Sequence, residues 1–150
     1  ELKRLDLDGG AVLSLAPVSG SRGGTWSKGG VILYTPSYLA GLMRVPASGG
    51  TPVPVTTLDA TRESTHRWPQ MLPDGNHFIY LAAQHEDPIG TSAIWYASLA
   101  GGAPRKLFGS PSSAVFAAGR LLFVRDSTLM AHCRSALISM FWLSMGYSRL

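Results

Sequence analysis

Two kinds of turn signal alternate along this chain, and their spacing constrains the fold more than any other feature of the sequence. The first kind is clearest at Pro73-Asp74-Gly75, which precedes the apolar run Phe78-Ile79-Tyr80. Proline presets φ at the first turn position and glycine accepts a positive φ later in the turn, so the flanking apolar residues are predicted to pair as a β-hairpin. Two further turns of this kind are predicted at Gly29 and Gly119.

The second kind of turn is a Gly-Gly pair between two apolar stretches. It occurs at Gly9-Gly10, Gly49-Gly50 and Gly101-Gly102, so its steps are 40 and 52 residues, whereas the first kind recurs in steps of 46 and 44 residues. A period of about 40 to 50 residues with four strands per unit is typical of a β-propeller blade. A β-sandwich can also contain many short strands, but its topology does not require two alternating turn types.

We therefore predict an all-β fold, namely a partial β-propeller of about three four-stranded antiparallel blades followed by a short tail with helical potential. The content of 17 glycines and 10 prolines in 150 residues fits many short strands joined by turns. The predicted division is a partial propeller over residues 1–131, with blade pieces at 1–16, 23–57, 65–108 and 113–131, and an atypical apolar tail over 132–150.

The tail has no strand or turn signals, and three interpretations of it stay open. Leu137, Phe141 and Met145 would share one face of a short helix. Such a helix would contact a membrane surface or a partner, or it would pack on the open side of an incomplete propeller. Alternatively, the tail is the accidental product of a truncated or frame-shifted gene, because the repeat pattern stops abruptly after Ala131.

The charged residues argue against a nucleic-acid partner. The net charge is +4, but the basic residues are scattered singly or in pairs and lack the clusters with stacking aromatics that a nucleic-acid groove needs. The single cysteine, Cys133, excludes an internal disulfide and leaves the compartment open. No membrane span is predicted in this chain, because the longest uncharged run in the tail, 135–148, is shorter than the roughly 20 residues that cross a bilayer.

The candidate binding residues lie in loops that antiparallel alternation places together. In a four-stranded antiparallel unit both hairpin turns fall on one face, and the remaining loops fall on the opposite face. Loops on a rigid frame commonly carry binding. His85-Glu86-Asp87 could contribute to a divalent metal site, but three consecutive residues point in different directions, so a solvated loop is the preferred interpretation and neither metal nor cofactor is predicted. The predicted binding-face residues are Asp59, Arg62, Glu63, His85, Glu86 and Asp87.

Other aromatic residues are assigned structural roles. His66 and His77 flank the central hairpin and are expected to stabilise strands. Trp26, Trp68 and Trp95 are expected in the core between blades, because aromatic side chains bury the most area per residue. Ligand stacking by these tryptophans is the alternative.

Several of these stretches resemble the PD40 (TolB-like, WD40-like) β-propeller repeat. The resemblance covers about residues 1–131 and rests on Leu72-Pro73-Asp74-Gly75 with Phe78-Ile79-Tyr80, and on Ile94 to Gly102 downstream. The amino-acid sequence of residues 44–52, 66–75 and 121–131 is similar to that of the propellers that follow the kinase domain in bacterial serine/threonine protein kinases. This resemblance implies a sensor or protein-binding domain on the periplasmic or extracytoplasmic side of a bacterial membrane.

The residues themselves predict no catalysis by this chain alone. The kinase motifs Gly-x-Gly-x-x-Gly, His-Arg-Asp and Asp-Phe-Gly are absent, as is the hydrolase motif Gly-x-Ser-x-Gly, so no catalytic residue is predicted. The expected function is a non-catalytic binding module whose partners are a protein or small ligand on the loop face and the missing blades of a parent propeller. The alternatives are an accessory propeller of a prolyl-oligopeptidase-like hydrolase and a TolB-like cell-envelope scaffold.

Overall fold

A computed structural model of the protein describes residues 1–132, apart from the side chains of residues 88 and 89. The predicted tail, 132–150, therefore lies outside the described residues except for His132. Short strands dominate the described part, and one helical turn interrupts a loop. The elements are β1 (Leu2–Arg4), β2 (Leu13–Ala16), β3 (Gly24–Trp26), β4 (Val31–Tyr34), β5 (Met43–Pro46), β6 (Val53–Pro54), β7 (Thr65–Met71), β8 (His77–Ala83), α1 (Pro88–Thr91), β9 (Ala93–Ser98), β10 (Arg105–Gly109), β11 (Ala114–Ala117), β12 (Arg120–Arg125) and β13 (Thr128–His132).

The strands of residues 1–132 form four antiparallel sheets in chain order. Sheet 1 pairs β1 with β2, sheet 2 has the order β3-β4-β5-β6, sheet 3 has the order β7-β8-β9-β10, and sheet 4 has the order β11-β12-β13. The prediction of an all-β chain with four-stranded antiparallel sheets is confirmed. None of the sheets closes on itself, and the division into blades stays a prediction.

The predicted turn chemistry explains how neighbouring strands meet. Gly75, in the β7–β8 turn, has a φ of 73°, a conformation that residues with a Cβ adopt only at a cost. The Asp74 side chain closes the same turn, because its Oδ1 accepts hydrogen bonds from the backbone N–H groups of Asn76 and His77 at 3.1 and 3.0 Å. In the β5–β6 turn both Gly49 and Gly50 have a positive φ. The turn signals in the sequence thus correspond to backbone requirements.

Strand β8 lies at the centre of the packing because it buries both faces. Phe78, Tyr80 and Ala82 contact a cluster with Leu33 and Leu42 of the sheet 2 region. The alternate residues of β8, Ile79, Leu81 and Ala83, contact a second cluster with Ala114, Leu121 and Phe123 of sheet 4. Successive side chains of a strand point to opposite faces, so this alternation shows that sheet 3 lies between sheet 2 and sheet 4.

Sheet 2 is covered on both faces in the same way. Leu33 contacts sheet 3, whereas its neighbours Ile32 and Tyr34 pack with Leu15 and Ala16 of sheet 1. The sheets therefore stack face to face in the order in which the chain forms them. Sheet 4 is covered only on the side of Leu121 and Phe123 by the described residues, so Val115, Val124 and Leu129 are 50%, 46% and 69% exposed.

The prediction that Trp26 and Trp68 lie in the core between sheets is wrong. Their exposed fractions are 54% and 41%. Trp26 is paired with Ile32, so both side chains lie on the face of sheet 2 that is directed to sheet 1. Sheet 1 has only two strands, and it leaves Trp26 exposed. Trp68 lies in an irregularity of the β7–β8 pairing and has a φ of 48°, so its side chain leaves the regular strand face. Trp95, by contrast, packs against the cluster between sheets 2 and 3.

The loop between β8 and β9 contains a helical turn that the sequence did not indicate. The turn spans Pro88–Thr91, and the Asp87 side chain accepts a hydrogen bond from the Gly90 N–H at 3.2 Å. This is an ordinary helix N-cap. Over the described residues, no helix has the length and apolar character that a membrane crossing would require.

Candidate functional site

The loops opposite the hairpin turns of sheets 2 and 3 meet, and we call the surface that they form the loop face. It comprises four segments, 17–23, 35–42, 55–64 and 84–92. Contacts join them in pairs, since the Ser19 N–H donates to the Pro36 carbonyl at 2.8 Å and the ring centroids of Tyr38 and His85 are 5.2 Å apart. The loop face is therefore a continuous surface supported by two sheets.

Asp59 and Arg62 close a local turn on this face. The Asp59 carboxylate accepts hydrogen bonds from the N–H and the hydroxyl of Thr61, at 3.1 and 2.7 Å. These hydrogen bonds lower the pKa of Asp59. Arg62 is 83% exposed and its Nε lies 3.7 Å from Asp59 Oδ2. An exposed ion pair of this length contributes little stability, so Arg62 remains accessible to solvent.

Glu63 belongs to a buried polar row rather than to the solvent-exposed surface. Its Oε1 lies 3.2 Å from Nε2 of His66. His66 is 1% exposed, and its Nδ1 lies 2.6 Å from the Thr56 hydroxyl oxygen, which also accepts from the Leu42 N–H at 2.8 Å. Burial alone would raise the pKa of Glu63, but interactions with His66 and the Asp59 N–H lower it.

The row links two sheets through a hydroxyl, an imidazole and a carboxylate. The Thr56 hydroxyl lies against Nδ1 of His66, and Oε1 of Glu63 lies near Nε2 of the same ring. Thr56 follows sheet 2 and His66 lies in sheet 3, so the row joins the sheets. A hydroxyl–imidazole–carboxylate order also occurs in nucleophilic enzymes. Here Thr56 is only 8% exposed, so its hydroxyl is withheld from a substrate.

His85, Glu86 and Asp87 are directed to different partners. The His85 ring contacts Tyr38 and the Arg67 guanidinium, Asp87 caps α1, and Glu86 is exposed. Residues 1–132 contain no group of three His, Cys, Asp or Glu side chains placed to hold a metal ion. The structure thus brings His85 together with Tyr38. The Asp59 carboxylate accepts hydrogen bonds within its own turn, and Glu63 lies against His66.

Arg67 is a residue of β7, in contact with the loop face through His85, that the sequence reasoning missed. It is 7% exposed, its Nε donates to the Thr65 hydroxyl at 3.0 Å, and its Nη2 contacts His85 Nδ1. Over residues 1–132 no carboxylate lies within 4 Å of its guanidinium. Burial, and then the charge of Arg22, lower the pKa of Arg67. A charged residue in a strand of mostly buried residues was the signal available in the sequence.

A concave surface, which we call the inner groove, runs along the first strands of sheets 2, 3 and 4. One cavity of about 250 Å³ is lined by Gly23, Trp68 and Ser113, and a neighbouring cavity of about 360 Å³ is lined by Trp26 and Lys28, with Gln70 in both. Gln70 spans the gap between sheets 3 and 4, since its Oε1 accepts from the Phe116 N–H at 2.6 Å and its Nε2 donates to the Phe116 carbonyl at 3.2 Å.

Comparison with known proteins identified no relative of this chain. No protein-family model matches the chain, and no curated protein matches it. The function is therefore inferred from the loop face itself and from the resemblance carried by the repeated turns.

Proposed function

We propose that this chain is a non-catalytic binding module built from consecutive β-propeller blades, with its ligand on the loop face. One observation carries the proposal: Tyr38 and Arg67, which come from separate segments, both contact His85 on a surface that two stacked sheets support. Binding sites on loops above a rigid scaffold follow this arrangement. A protein segment or a small ligand would contact several of these segments at once.

The stacking of the sheets supports the propeller part of the proposal. Blades of a propeller repeat radially around a central channel, so the first strands of successive blades should be neighbours. The first strands β3 and β7 are neighbours here, because the Trp68 N–H donates to the Arg22 carbonyl at 2.7 Å and the Met71 N–H donates to the Thr25 hydroxyl at 3.1 Å. The Gln70 contact with Phe116 relates β7 to β11 in a similar manner.

The parent protein is proposed from the resemblance. The chain would be part of the C-terminal sensor propeller of a bacterial serine/threonine protein kinase, on the extracytoplasmic side of the membrane, with further blades completing the ring. The accessory propeller of a prolyl-oligopeptidase-like hydrolase is the second candidate, and a TolB-like envelope scaffold is the third. Reading the complete open reading frame separates them, because a kinase domain upstream, a Gly-x-Ser-x-Gly motif downstream or an export signal distinguishes the three parents.

The binding function is tested by mapping ligands onto the two ends of the sheets. A library of small molecules and short peptides is screened by NMR against the isotopically labelled protein, and each hit is repeated with Tyr38→Ala and His85→Ala. The control is Lys28→Ala, which changes an exposed side chain in the β3–β4 turn. We expect hits to shift signals of the loop face and to weaken in both loop-face variants only. Hits that map to the hairpin turns and depend on Lys28 would contradict the proposal.

A further inference from the structure

We propose that the loop face recognises an anionic group, a carboxylate or a phosphate, through Arg67 with Arg22 and His85. This inference rests on the proposed function, because it names the chemistry of the ligand that the loop face would bind. The observation behind it is a buried guanidinium without an acidic partner in the described residues. A buried charge is usually paired, and an unpaired one is costly to desolvate.

Three acidic side chains of the loop face are committed to other groups, and a fourth, Glu86, is exposed. Asp59 accepts from Thr61, and Glu63 lies against His66. Asp87 accepts from the Gly90 N–H. Folding therefore collects several carboxylates in the loops of this face and directs none of these three to Arg67. A ligand anion would fill the position that an acidic side chain usually occupies beside a buried arginine.

The orientation of Arg67 is fixed before any ligand arrives. Its Nε donates to the Thr65 hydroxyl at 3.0 Å, and its Nη2 is directed to Nδ1 of His85. These two contacts hold the planar guanidinium in one orientation, which reduces the conformational entropy that binding would cost. Arginine matches carboxylate and phosphate geometry because its N–H groups form a rigid fork.

Two neighbouring groups increase the attraction for an anion. Because His85 Nδ1 accepts from Arg67, the ring proton is on Nε2, and this N–H has no hydrogen-bond partner in residues 1–132. Arg22 is half-buried, and its carbonyl accepts a hydrogen bond at 2.7 Å from the N–H of Trp68, the residue after Arg67, so the two basic residues lie on neighbouring segments. Two cations that repel each other are both stabilised when one anion lies between them. Tyr38, whose ring packs against His85, borders the same position.

The test measures binding of two simple anions to the intact chain. Sodium phosphate and sodium acetate are titrated separately by isothermal calorimetry, at constant ionic strength maintained with sodium chloride. We expect saturable binding of at least one anion, and Arg67→Gln and Arg22→Gln should each weaken it by about tenfold or more, because charge-assisted hydrogen bonds are lost. Tighter binding of phosphate identifies a phosphate ligand, and tighter binding of acetate identifies a carboxylate.

Arg105→Gln is the matched control, since it removes the same charge at an exposed position beside the β9–β10 hairpin turn, at the end of sheet 3 opposite the loop face. Its affinity should stay within about twofold of the unchanged protein, because salt screens exposed charges that are far apart. If Arg67→Gln fails to fold, as judged by circular dichroism, Arg22→Gln still decides the question. Absence of saturable binding, or equal weakening in Arg105→Gln, overturns the inference.

The screen for loop-face ligands separates this inference from the proposed function. If hits map to Tyr38 and His85 but lack an anionic group and bind Arg67→Gln unchanged, the anion site is wrong and the binding module stands. If neither the anions nor the hits bind to the loop face, both the anion site and the proposed binding function are contradicted.

Discussion

Sheets 3 and 4 are built from similar apolar strands but differ in what covers them. Sheet 3 lies between two neighbours, and residues 78–83 of its strand β8 are all buried. Sheet 4 has one neighbour within the described residues, and its other face leaves Val115, Val124 and Leu129 largely exposed. The strand sequence alone is therefore insufficient to bury a sheet of this kind. Each sheet therefore depends on a neighbouring sheet to cover its apolar face.

The comparison is tested most strongly by truncating one apolar side chain in each sheet. Phe78→Ala in sheet 3 removes a fully buried ring between two sheets and should lower the free energy of unfolding by about 3–5 kcal/mol. Leu129→Ala in sheet 4 removes a side chain that is 69% exposed and should change it by no more than about 0.5 kcal/mol. Urea denaturation followed by circular dichroism measures both, and equal losses would contradict the difference between the sheets.

The polar row between sheets 2 and 3 should give the next largest effect. Thr56→Val keeps the shape of the side chain but leaves the Leu42 N–H and His66 Nδ1 without the hydroxyl, which should cost about 1–3 kcal/mol. The control, Thr57→Val, makes the same change at the adjacent exposed position and should cost less than about 0.5 kcal/mol. Thermal unfolding compares the two variants, and similar midpoints would show that the row contributes no stability.

The exposed face of sheet 4 should make the chain self-associate. Val124 and Leu129 are paired across β12 and β13, so the double variant Val124→Lys with Leu129→Glu places opposite charges side by side on that face. We expect its self-association to weaken by about tenfold, because exposed apolar patches drive contact between copies. Sedimentation velocity measures this, and Leu7→Glu, at a fully exposed loop residue, is the control. A monomeric unmodified chain would contradict the expectation.

A smaller effect is expected from Asp74 in the β7–β8 turn of sheet 3. Burial alone would raise the pKa of Asp74. Hydrogen bonds from the His77 ring and from the backbone N–H groups of His77 and Asn76 nevertheless lower this pKa below its ordinary value of 3.8. The ionised carboxylate therefore stabilises the fold above about pH 4, and this contribution is lost as the pH falls through the lowered pKa. Asp74→Asn should lose stability at pH 7 and approach the unmodified protein in acid. A pH-independent difference in urea midpoints would exclude this role.

The smallest effect concerns the turns of the two sheets. The β12–β13 turn of sheet 4 places Ser127 at a φ of 60° without a glycine. Ser127→Gly should stabilise the chain by about 0.5 kcal/mol, because relief of the left-handed strain exceeds the entropy that glycine loses. Gly75→Ala in sheet 3 should do the opposite and cost about 1 kcal/mol, since its φ is 73° and a new Cβ would meet no neighbour that could compensate. Thermal unfolding should show midpoint shifts of opposite sign.

The sequence predicted the hairpins and the sheets because their signals are local. Pro73-Asp74-Gly75 and the Gly-Gly pairs impose a backbone geometry by themselves, wherever the rest of the chain lies. The positions of Trp26 and Trp68 were predicted wrongly because exposure depends on the neighbouring sheet and on a pairing irregularity, which no periodicity reveals.

The candidate site was predicted only in part for the same reason. His85 was placed on the loop face from strand alternation, but its contact with Arg67 joins residues that are 18 positions apart and depends on the register of β7 against β8. Glu63 was expected to face a ligand, whereas it turns inward because the buried ring of His66 offers it a partner. Side-chain partners across a loop follow from three-dimensional placement rather than from spacing.

The carboxamide of Gln70 offers Phe116 one donor and one acceptor, as a peptide group of an adjoining strand would. This pair of hydrogen bonds joins sheets 3 and 4 outside both backbone ladders, in addition to the bond at 2.8 Å from Arg125 of sheet 4 to the Gly109 carbonyl of sheet 3. Sliding either sheet by one residue would sever both bonds at the same moment, so small displacements of β11 should be resisted cooperatively. A force applied to β11 would therefore act directly on β7 through Gln70.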